Sequence, residues 1–361
     1  MPLVAHNRLP AFDRLEAEGI RVLTPARARD QDIRELHVGL LNMMPDAALE
    51  ATERQFFRLI GESNPIAQFY VHPFTLPELE RGDAAKAHIE RYYESFEQIR
   101  ADGLDALIVT GANVAGAELA DQQFWEPLIR VIDWALEHVT STLCSCLATH
   151  AVLQFRYGKK RIPQPAKIWG VFPHLVVDKR HPLVNDVNTR FDVPHSRWNA
   201  VTREQFTAAG LRILVESPVG VHLATSADGL RAVFFQGHPE YDTVSLLKEY
   251  KREILLYAEG LRGDYPPFPE NFFGAQQQAV LNEFRRCVED AVAGRTETPE
   301  FPERLIASAL DNTWHDTAEA VVSNWMGIVY QITHRDRRVP FMDGVDPDDP
   351  LGLYPRRGGK G

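Results

Sequence analysis

Short apolar segments alternate with amphipathic ones along the first 160 residues of the chain. The apolar segments are 37–46, 67–74, 103–116 and 140–145, and the segments with a helical pattern are 47–61, 85–99, 124–139 and 147–158. Strands that alternate with helices in this way lie side by side in one sheet, with the helices on its faces. The alternation therefore predicts an α/β fold of three layers with a mostly parallel sheet.

The remainder of the chain has a different pattern. Segments from about 172 to 235 are shorter and richer in β-forming residues, and they predict antiparallel strands that complete the sheet. Helical patterns resume after residue 242, and the last residues are rich in glycine, proline and charge. We expect four parts: an N-terminal extension (1–34), a main domain (35–262), a C-terminal helical segment with an insertion that packs on that domain (263–334), and a disordered tail (335–361).

Charge and cysteine content exclude several classes of protein. The net charge of −11 provides no general attraction to nucleic acids or anionic membranes. No run approaches the 18 apolar residues of a membrane-spanning helix. Three cysteines among 361 residues do not form a disulfide scaffold, and the start of the chain lacks the pattern of a secretory signal. We expect a cytoplasmic protein that binds neither nucleic acid nor membrane.

Two of the three cysteines, Cys144 and Cys146, lie one residue apart in the segment STLCSCLATH. Cys146 falls where a predicted strand ends and a predicted helix begins, and ligands bind at this end of parallel strands. A helix N-terminus favours a thiolate there, whereas Cys144 is predicted to pack in the core. One alternative is that both are buried apolar residues, the usual role of a free cysteine. Zinc binding is disfavoured by the C-x-C spacing and the lack of a second cysteine pair.

The segment RAVFFQGHPEYD (231–242) favours a reactive Cys146 over a buried apolar one. It is an apolar strand that breaks at Gly237 and then presents His238 and Glu240. A cysteine nucleophile needs a base within hydrogen-bond reach, and that base needs an orienting carboxylate. The alternatives are that both residues are exposed in a turn, or that they form the H-x-E motif of zinc deaminases, whose P-C-x-x-C partner is absent here. Together with Cys146, they predict a Cys–His–Glu triad without a metal.

Longer motifs resemble one known family. Between about residues 35 and 334 the chain contains VGLLNMMPDAALEATERQFFRLIGESNP, LDALIVTGA, WALEHVTSTLCSCLATHAVLQFRYG, KIWGVF, PHSRW, GHPEYD and SNWMGIVYQIT. The order of strand, cysteine and helix followed by strand and GHPE resembles the class I glutamine amidotransferase-like (flavodoxin-like) fold. Within that fold, the motifs resemble the homoserine O-acyltransferases of methionine biosynthesis, of the homoserine O-succinyltransferase type. Ser145 and Leu147 replace the glycines that usually flank an amidotransferase nucleophile, which argues against glutaminase activity.

The resemblance implies a role for each residue of the triad. Cys146 is then acylated by an acyl-CoA in a ping-pong reaction, His238 is the base, and Glu240 orients it. Backbone N–H groups stabilise the oxyanion in such a reaction. The N–H of Leu147, at the start of the predicted helix, is one candidate donor, and the second donor stays unassigned.

The resemblance also implies ligands and an assembly. Lys167, Ser196 and Arg252 match substrate-binding positions of the family, and a guanidinium suits the carboxylate of homoserine. From the residues alone, a solvated surface charge is the more frequent role of such a lysine or arginine. The implied ligands are L-homoserine and succinyl-CoA or acetyl-CoA as co-substrate, with no other cofactor. The implied assembly is a homodimer.

The identity of the acyl group depends on the loop after VTGA, where glycine accompanies succinyl use in this family and glutamate accompanies acetyl use. Ala115 occupies that position here. A small neutral residue leaves room for the succinyl carboxylate and adds no like charge, so succinyl-CoA is the expected donor. Leu147 in place of tryptophan and the insertion at about 270–305 depart from the family pattern. Acetyl transfer, serine as acceptor, a hydrolase or amidotransferase with this triad, and a non-catalytic binding module therefore remain alternatives.

Overall fold

A computed structural model describes residues 3–31, 33–63, 67–114, 116, 118–294, 297 and 299–354, and within them eleven strands form one sheet. The strands are β1 (Leu3–Val4), β2 (Val22–Leu23), β3 (Glu35–Leu41), β4 (Gln68–Phe74), β5 (Ala106–Val109), β6 (Ser141–Ser145), β7 (Ile162–Val176), β8 (Arg190–Ala200), β9 (Arg212–Ser217), β10 (Gly220–Thr225) and β11 (Ala232–Phe235). The helices are α1 (Pro10–Ala17), α2 (Pro25–Arg29), α3 (Leu49–Glu62), α4 (Asp83–Tyr92), α5 (Phe96–Asp102), α6 (Trp125–His138), α7 (Leu147–Tyr157), α8 (Arg203–Ala208), α9 (Ser245–Ala258), α10 (Ala275–Val292), α11 (Glu303–Ala307) and α12 (His315–Ile332).

The sheet has a parallel half and an antiparallel half. Its strand order is β2-β1-β4-β3-β5-β6-β11-β10-β9-β7-β8. The strands from β2 to β11 in this order pair in parallel, and β10, β9, β7 and β8 continue the sheet in antiparallel pairs. Parallel neighbours need crossover connections, which helices supply. The predicted α/β class and its mostly parallel sheet are confirmed, as is the antiparallel completion.

Helices cover both faces of the sheet because its central strands are apolar on both sides. One core lies under α1, α3 and α12 and includes Phe57 and Trp325. The other lies under α6 and α7 and includes Leu128 and Ala151. β5 is buried along its whole length between these two layers. Among the described helices, none combines the length and the apolar character of a membrane span.

The described residues near both ends of the chain belong to this fold. The N-terminal residues that we treated as an extension supply β1 and β2 at one edge of the sheet. The prediction of a disordered tail is wrong for residues 335–354. There Phe341 is buried under the guanidinium of Arg231, and Tyr354 OH donates to the carbonyl of Ala227 at 2.6 Å. The composition favours disorder, but two aromatic side chains dock the segment. Residues 355–361 lie outside the described residues.

The C-terminal insertion packs on the antiparallel half. Helices α9 and α10 and their connections enclose a third core, which includes Tyr250, Phe272, Phe284 and Trp314. At Gly170 (φ 146°) this region touches β7: the N–H of Glu270 donates to Trp169 O at 2.8 Å, and the N–H of Val171 donates to Glu270 O at 2.9 Å. A Cβ on Gly170 would lie 2.2 Å from Glu270 O. Only glycine permits this approach.

We predict that Gly170→Ala destabilises the protein by about 2 kcal/mol or more, because the new methyl group clashes with backbone and the φ angle is strained. The measurement is urea unfolding monitored by tryptophan fluorescence. Gly158→Ala is the matched control: Gly158 also has a positive φ (63°), but nothing lies within 4 Å of its Cβ position, so we expect a loss of only about 1 kcal/mol. Equal losses in the two variants would contradict the close approach at Glu270.

Candidate active site

Cys146 forms the turn between β6 and α7 by itself. Its backbone has φ 51° and ψ −107°, a conformation that costs a non-glycine residue about 1–3 kcal/mol. Sharp strand-to-helix turns of this kind expose the side chain of their central residue above the sheet. Cys146 is accordingly half-buried, whereas Cys144 is fully buried and its burial raises the pKa of its thiol to about 12. The structure therefore favours Cys146 as the reactive cysteine and Cys144 as a core residue.

Two adjacent parallel strands place His238 next to this turn. β11 pairs with β6 in the register Phe235 opposite Ser145, and the N–H of Cys146 donates to Phe235 O at 2.8 Å. Both strands end at the same edge of the sheet, so the residues that follow them emerge side by side. The N–H of His238 donates to Pro194 O on β8 at 2.8 Å, which fixes the turn after β11.

The side chains of Cys146, His238 and Glu240 meet as predicted. His238 Nδ1 lies 2.8 Å from Glu240 Oε1, and the imidazole also hydrogen-bonds the sulfur of Cys146. His238 and Glu240 are 5% and 7% exposed, so they are not solvated turn residues. Burial by itself favours the neutral ring, but the charges of Glu240 and Cys146 raise the pKa of His238 well above its usual value. The surroundings of His238 thus favour its imidazolium form.

A second carboxylate, Glu249 on α9, lies beside the triad and was missed in the sequence. Its Oε1 accepts a hydrogen bond from Tyr241 OH at 2.7 Å. The ring of Tyr241 stacks on the imidazole of His238, with 4.5 Å between the centroids. Trp169 Nε1 donates to Glu249 Oε2 at 3.0 Å. The segment LLKEYKREI offered no signal for Glu249, since a glutamate in a charged helical stretch is ordinarily solvated.

Two of the three predicted substrate-binding residues meet at this carboxylate. Lys167 Nζ and Ser196 Oγ lie 3.2 and 2.6 Å from Glu249 Oε2. They come together because β7 and β8 pair with Trp169 opposite Ser196. Burial opposes the ionisation of Glu249, but the charge of Lys167 and the hydrogen bonds from its neighbours lower the pKa of Glu249 below its usual value. A lysine–glutamate pair therefore faces the mouth of the site.

Arg252, the third predicted substrate-binding residue, lies one helical turn beyond Glu249. Its side chain is 54% exposed, and its guanidinium lies 3.4 Å from Glu253 Oε1. Among the described residues, no hydrogen bond or ion pair links Arg252 to the triad, to Lys167 or to Ser196. Side chains three positions apart share a helix face, so Arg252 lies at the rim of the site.

A buried arginine that has no signal of its own in the sequence, Arg197, interacts electrostatically with Cys146. Arg197 is 4% exposed, and it donates from Nε to His195 Nδ1 at 3.2 Å and from Nη2 to Val219 O at 2.7 Å. No carboxylate in the described part of the chain pairs with it. Burial lowers the pKa of Arg197 to about 10, and attraction to the sulfur of Cys146 offsets part of this effect. The PHSRW motif was the available signal, since this arginine follows Ser196 directly.

The backbone around Cys146 offers two donors for an oxyanion. Leu147 is the first residue of α7, and the N–H groups of a first helical turn have no acceptor within the helix. Gly111, in the loop after β5, lies against it: a Cβ there would be 3.5 Å from Cys146 Cβ and 3.9 Å from Leu147 N. The N–H of Leu147 stays the predicted first donor, and the loop at Gly111 is a candidate for the second.

The predicted acyl-specificity residue, Ala115, lies outside the described residues. Its neighbours Val114 and Gly116 both accept hydrogen bonds from Arg161 Nη2, the former at 3.1 Å. Arg161 is 6% exposed and also interacts electrostatically with the sulfur of Cys146. The loop that contains the predicted specificity position is therefore tied to an arginine near the nucleophile.

Comparisons with known proteins relate the chain to one sequence family. The sequence profile of the family "HTS: Homoserine O-succinyltransferase" matches residues 2–335. A homoserine O-succinyltransferase of Allochromatium vinosum is 70% identical over 354 residues, or 98% of this chain and 99% of that protein. One of Thiobacillus denitrificans is 69% identical over 354 residues, or 98% of this chain and 100% of that protein. A solved glutamine amidotransferase of Methylobacillus flagellatus aligns with 82% of this chain and 95% of its own, at 13% identity and a TM-score of 0.46.

We predict that Glu240→Gln slows alkylation of Cys146 by iodoacetamide at pH 7 about tenfold or more. Without the carboxylate, the imidazolium is less stable, so more of Cys146 is protonated, and an unassisted thiol is only a few per cent ionised at this pH. The rate is measured by mass spectrometry in a Cys287→Ser background, because Cys287 is exposed. Glu216→Gln, which removes a surface carboxylate paired with Arg203, is expected to leave the alkylation rate unchanged. An unchanged alkylation rate in Glu240→Gln would contradict the effect of Glu240 on Cys146 through His238.

Proposed function

The chain belongs to the homoserine O-succinyltransferase family, and we propose that Cys146, His238 and Glu240 transfer a succinyl group from succinyl-CoA to the hydroxyl of L-homoserine through a cysteine thioester. The observation that supports this proposal most directly is the continuous line of contacts from the Cys146 sulfur through His238 to Glu240. It is the arrangement that a covalent acyl transfer requires.

The first half-reaction uses the resting ion pair. The thiolate of Cys146 attacks the thioester carbonyl, and the N–H of Leu147 and the backbone at Gly111 stabilise the oxyanion. As the tetrahedral intermediate collapses, the C–S bond to CoA breaks and the imidazolium of His238 gives its proton to the departing thiolate. The products are a succinyl thioester on Cys146, neutral His238 and free CoA.

The second half-reaction depends on the loss of the negative charge of Cys146 when that residue is acylated. Once Cys146 is acylated, its negative charge no longer raises the pKa of His238, so the neutral imidazole persists and accepts a proton. It takes the proton of the homoserine hydroxyl as that oxygen attacks the thioester, a general-base role worth about 10²–10⁴ in rate. Release of O-succinylhomoserine restores the thiolate–imidazolium pair. Glu240 holds the ring in orientation throughout.

The acceptor site we propose lies around Glu249. Homoserine carries an ammonium and a carboxylate, and the site offers a negative group, Glu249, between positive groups, Lys167 and Arg252. We assign the ammonium to Glu249 Oε1, which accepts one hydrogen bond in the structure, and the carboxylate to Lys167 and Arg252. Ser196 positions Glu249 through its 2.6 Å hydrogen bond.

The donor site we propose includes the two buried arginines. Arg197 and Arg161 both interact electrostatically with the sulfur of Cys146, and their positive charge suits an anionic acyl chain nearby. A small residue at Ala115 remains the sequence-based argument for succinyl over acetyl. We propose no cofactor besides the acyl-CoA co-substrate. The proposed homodimer rests on the family resemblance alone.

The test is the intact mass of the protein after mixing with succinyl-CoA or acetyl-CoA in the absence of acceptor. We expect one succinyl adduct on the wild type, none on Cys146→Ala, and discharge of the adduct by homoserine but not by serine. An acetyl adduct in place of the succinyl adduct would overturn the donor assignment. Adducts on Cys146→Ala would overturn the assignment of the nucleophile.

We predict that Glu249→Gln raises KM for homoserine about tenfold or more and leaves the rate of succinyl-enzyme formation unchanged. A hydrogen bond to a charged group contributes about 1.5–3 kcal/mol, and a tenfold change corresponds to about 1.4 kcal/mol. Steady-state kinetics and rapid-quench mass spectrometry measure the two quantities. Glu259→Gln, at the exposed end of the same helix, is the control and is expected to resemble wild type. A slowed first half-reaction with normal KM would place Glu249 outside the acceptor site.

A further inference from the structure

A cluster of three histidines and a glutamate lies away from the active site. His6 follows β1, His37 lies on β3, His72 lies on β4, and Glu94 lies in the connection between α4 and α5. β3 and β5 separate β4 from β6, so at about 4.8 Å per strand spacing the cluster is roughly 14 Å or more from Cys146. The mechanism above uses none of these four side chains.

The ring of His6 presents an unshared nitrogen to this cluster. His6 Nδ1 lies 3.1 Å from Val4 O, and since a carbonyl only accepts, Nδ1 carries the proton. The lone pair is then on Nε2, which is buried and has no hydrogen-bond partner. It lies 3.9 Å from Glu94 Oε1. A buried, unprotonated imidazole nitrogen that faces a carboxylate is typical of a metal ligand and costly otherwise.

His72 and Glu94 supply two further ligand atoms. His72 Nδ1 lies 2.6 Å from Glu94 Oε1, and single ligand atoms of His6, His72 and Glu94 all lie within 4.8 Å of one another. Ligands about 2.0–2.1 Å from a tetrahedral zinc ion are separated by about 3.3–3.4 Å. Small side-chain rotations meet this requirement if they lengthen the separation of His72 Nδ1 from Glu94 Oε1 and shorten that of His6 Nε2 from the same oxygen.

His37 and Glu35 complete the cluster as supporting groups. His72 Nε2 lies 2.9 Å from His37 Nδ1, and His37 Nε2 lies 3.5 Å from Glu35 Oε2. Histidines that bind a metal through one nitrogen usually donate the other N–H to a neighbour that is itself held by a carboxylate.

We propose that His6 Nε2, His72 Nδ1 and Glu94 bind a divalent transition-metal ion, with zinc as the best match, and that His37 and Glu35 orient His72. Two imidazoles and a carboxylate favour such an ion over magnesium or calcium, which prefer oxygen ligands alone. Glu94 also lines a surface cavity of about 730 Å³. Bound metal would join the N-terminal segment to β4 and to the connection before α5.

The test is titration of chelator-treated, full-length protein with Zn²⁺ by calorimetry, and with Co²⁺ by visible absorption. We expect one Zn²⁺ per chain, tetrahedral Co²⁺ bands, and a Tm about 4 °C higher with excess Zn²⁺. His6→Ala and Glu94→Gln are expected to weaken binding at least 100-fold, and His37→Ala to weaken it about 10–100-fold.

His88→Ala is the matched control. His88 also contacts a carboxylate, with Nε2 2.8 Å from Glu53 Oε1, but it lies outside the proposed ligand set and is expected to retain wild-type affinity. Circular dichroism of each variant identifies any loss of folding. Wild-type binding weaker than about 10 µM would overturn the proposal. So would full affinity in folded His6→Ala and Glu94→Gln, since the ion would then bind elsewhere, for instance at Cys146 and His238.

Discussion

The parallel pairing of β6 with β11 is the constraint on which the active site depends. Its register places Phe235 opposite Ser145, and the first backbone group beyond β6, the N–H of Cys146, bonds back to Phe235. A shift of one residue would turn the side chains of β11 to the opposite face of the sheet. His238 would then no longer contact the sulfur. The apolar cores on both faces specify the register, so the packing energy of the fold also determines the geometry of the site.

Charged side chains surround His238 and Cys146 in this geometry. His238 lies between Glu240 and the sulfur of Cys146, whose charges raise its pKa, while Arg197 provides a positive charge that no carboxylate of the described residues neutralises. Burying an unpaired guanidinium is costly, and three hydrogen bonds to a ring nitrogen and backbone carbonyls offset part of the cost. In the proposed reaction, acylation removes the charge of the Cys146 sulfur and deacylation returns it, and the pKa of His238 follows these changes.

The C-terminal region contributes to the site although it supplies none of the triad. Trp314 Nε1 donates to Tyr241 O at 2.9 Å, and Tyr241 in turn stacks on His238 and bonds Glu249. The third core includes Trp169, whose Nε1 donates to Glu249, and Tyr250, which follows Glu249 in the sequence. The described residues between 270 and 305 therefore pack behind the proposed acceptor site and support α9.

The sequence by itself determined the α/β class, the turn at Cys146 and the partnership of Cys146 with His238 and Glu240. These features follow from local patterns. An apolar strand followed directly by a helix identifies Cys146 at a strand end, and a strand that breaks at GHPE identifies His238 and Glu240 at another. Only the tertiary structure decided which charges surround them. Glu249, Tyr241 and Arg197 look like ordinary polar residues in the sequence, because their burial results from the pairing of distant strands and the packing of α9. The docking of residues 335–354 has the same origin: composition describes what a segment prefers in water, whereas the surface it meets decides whether it packs.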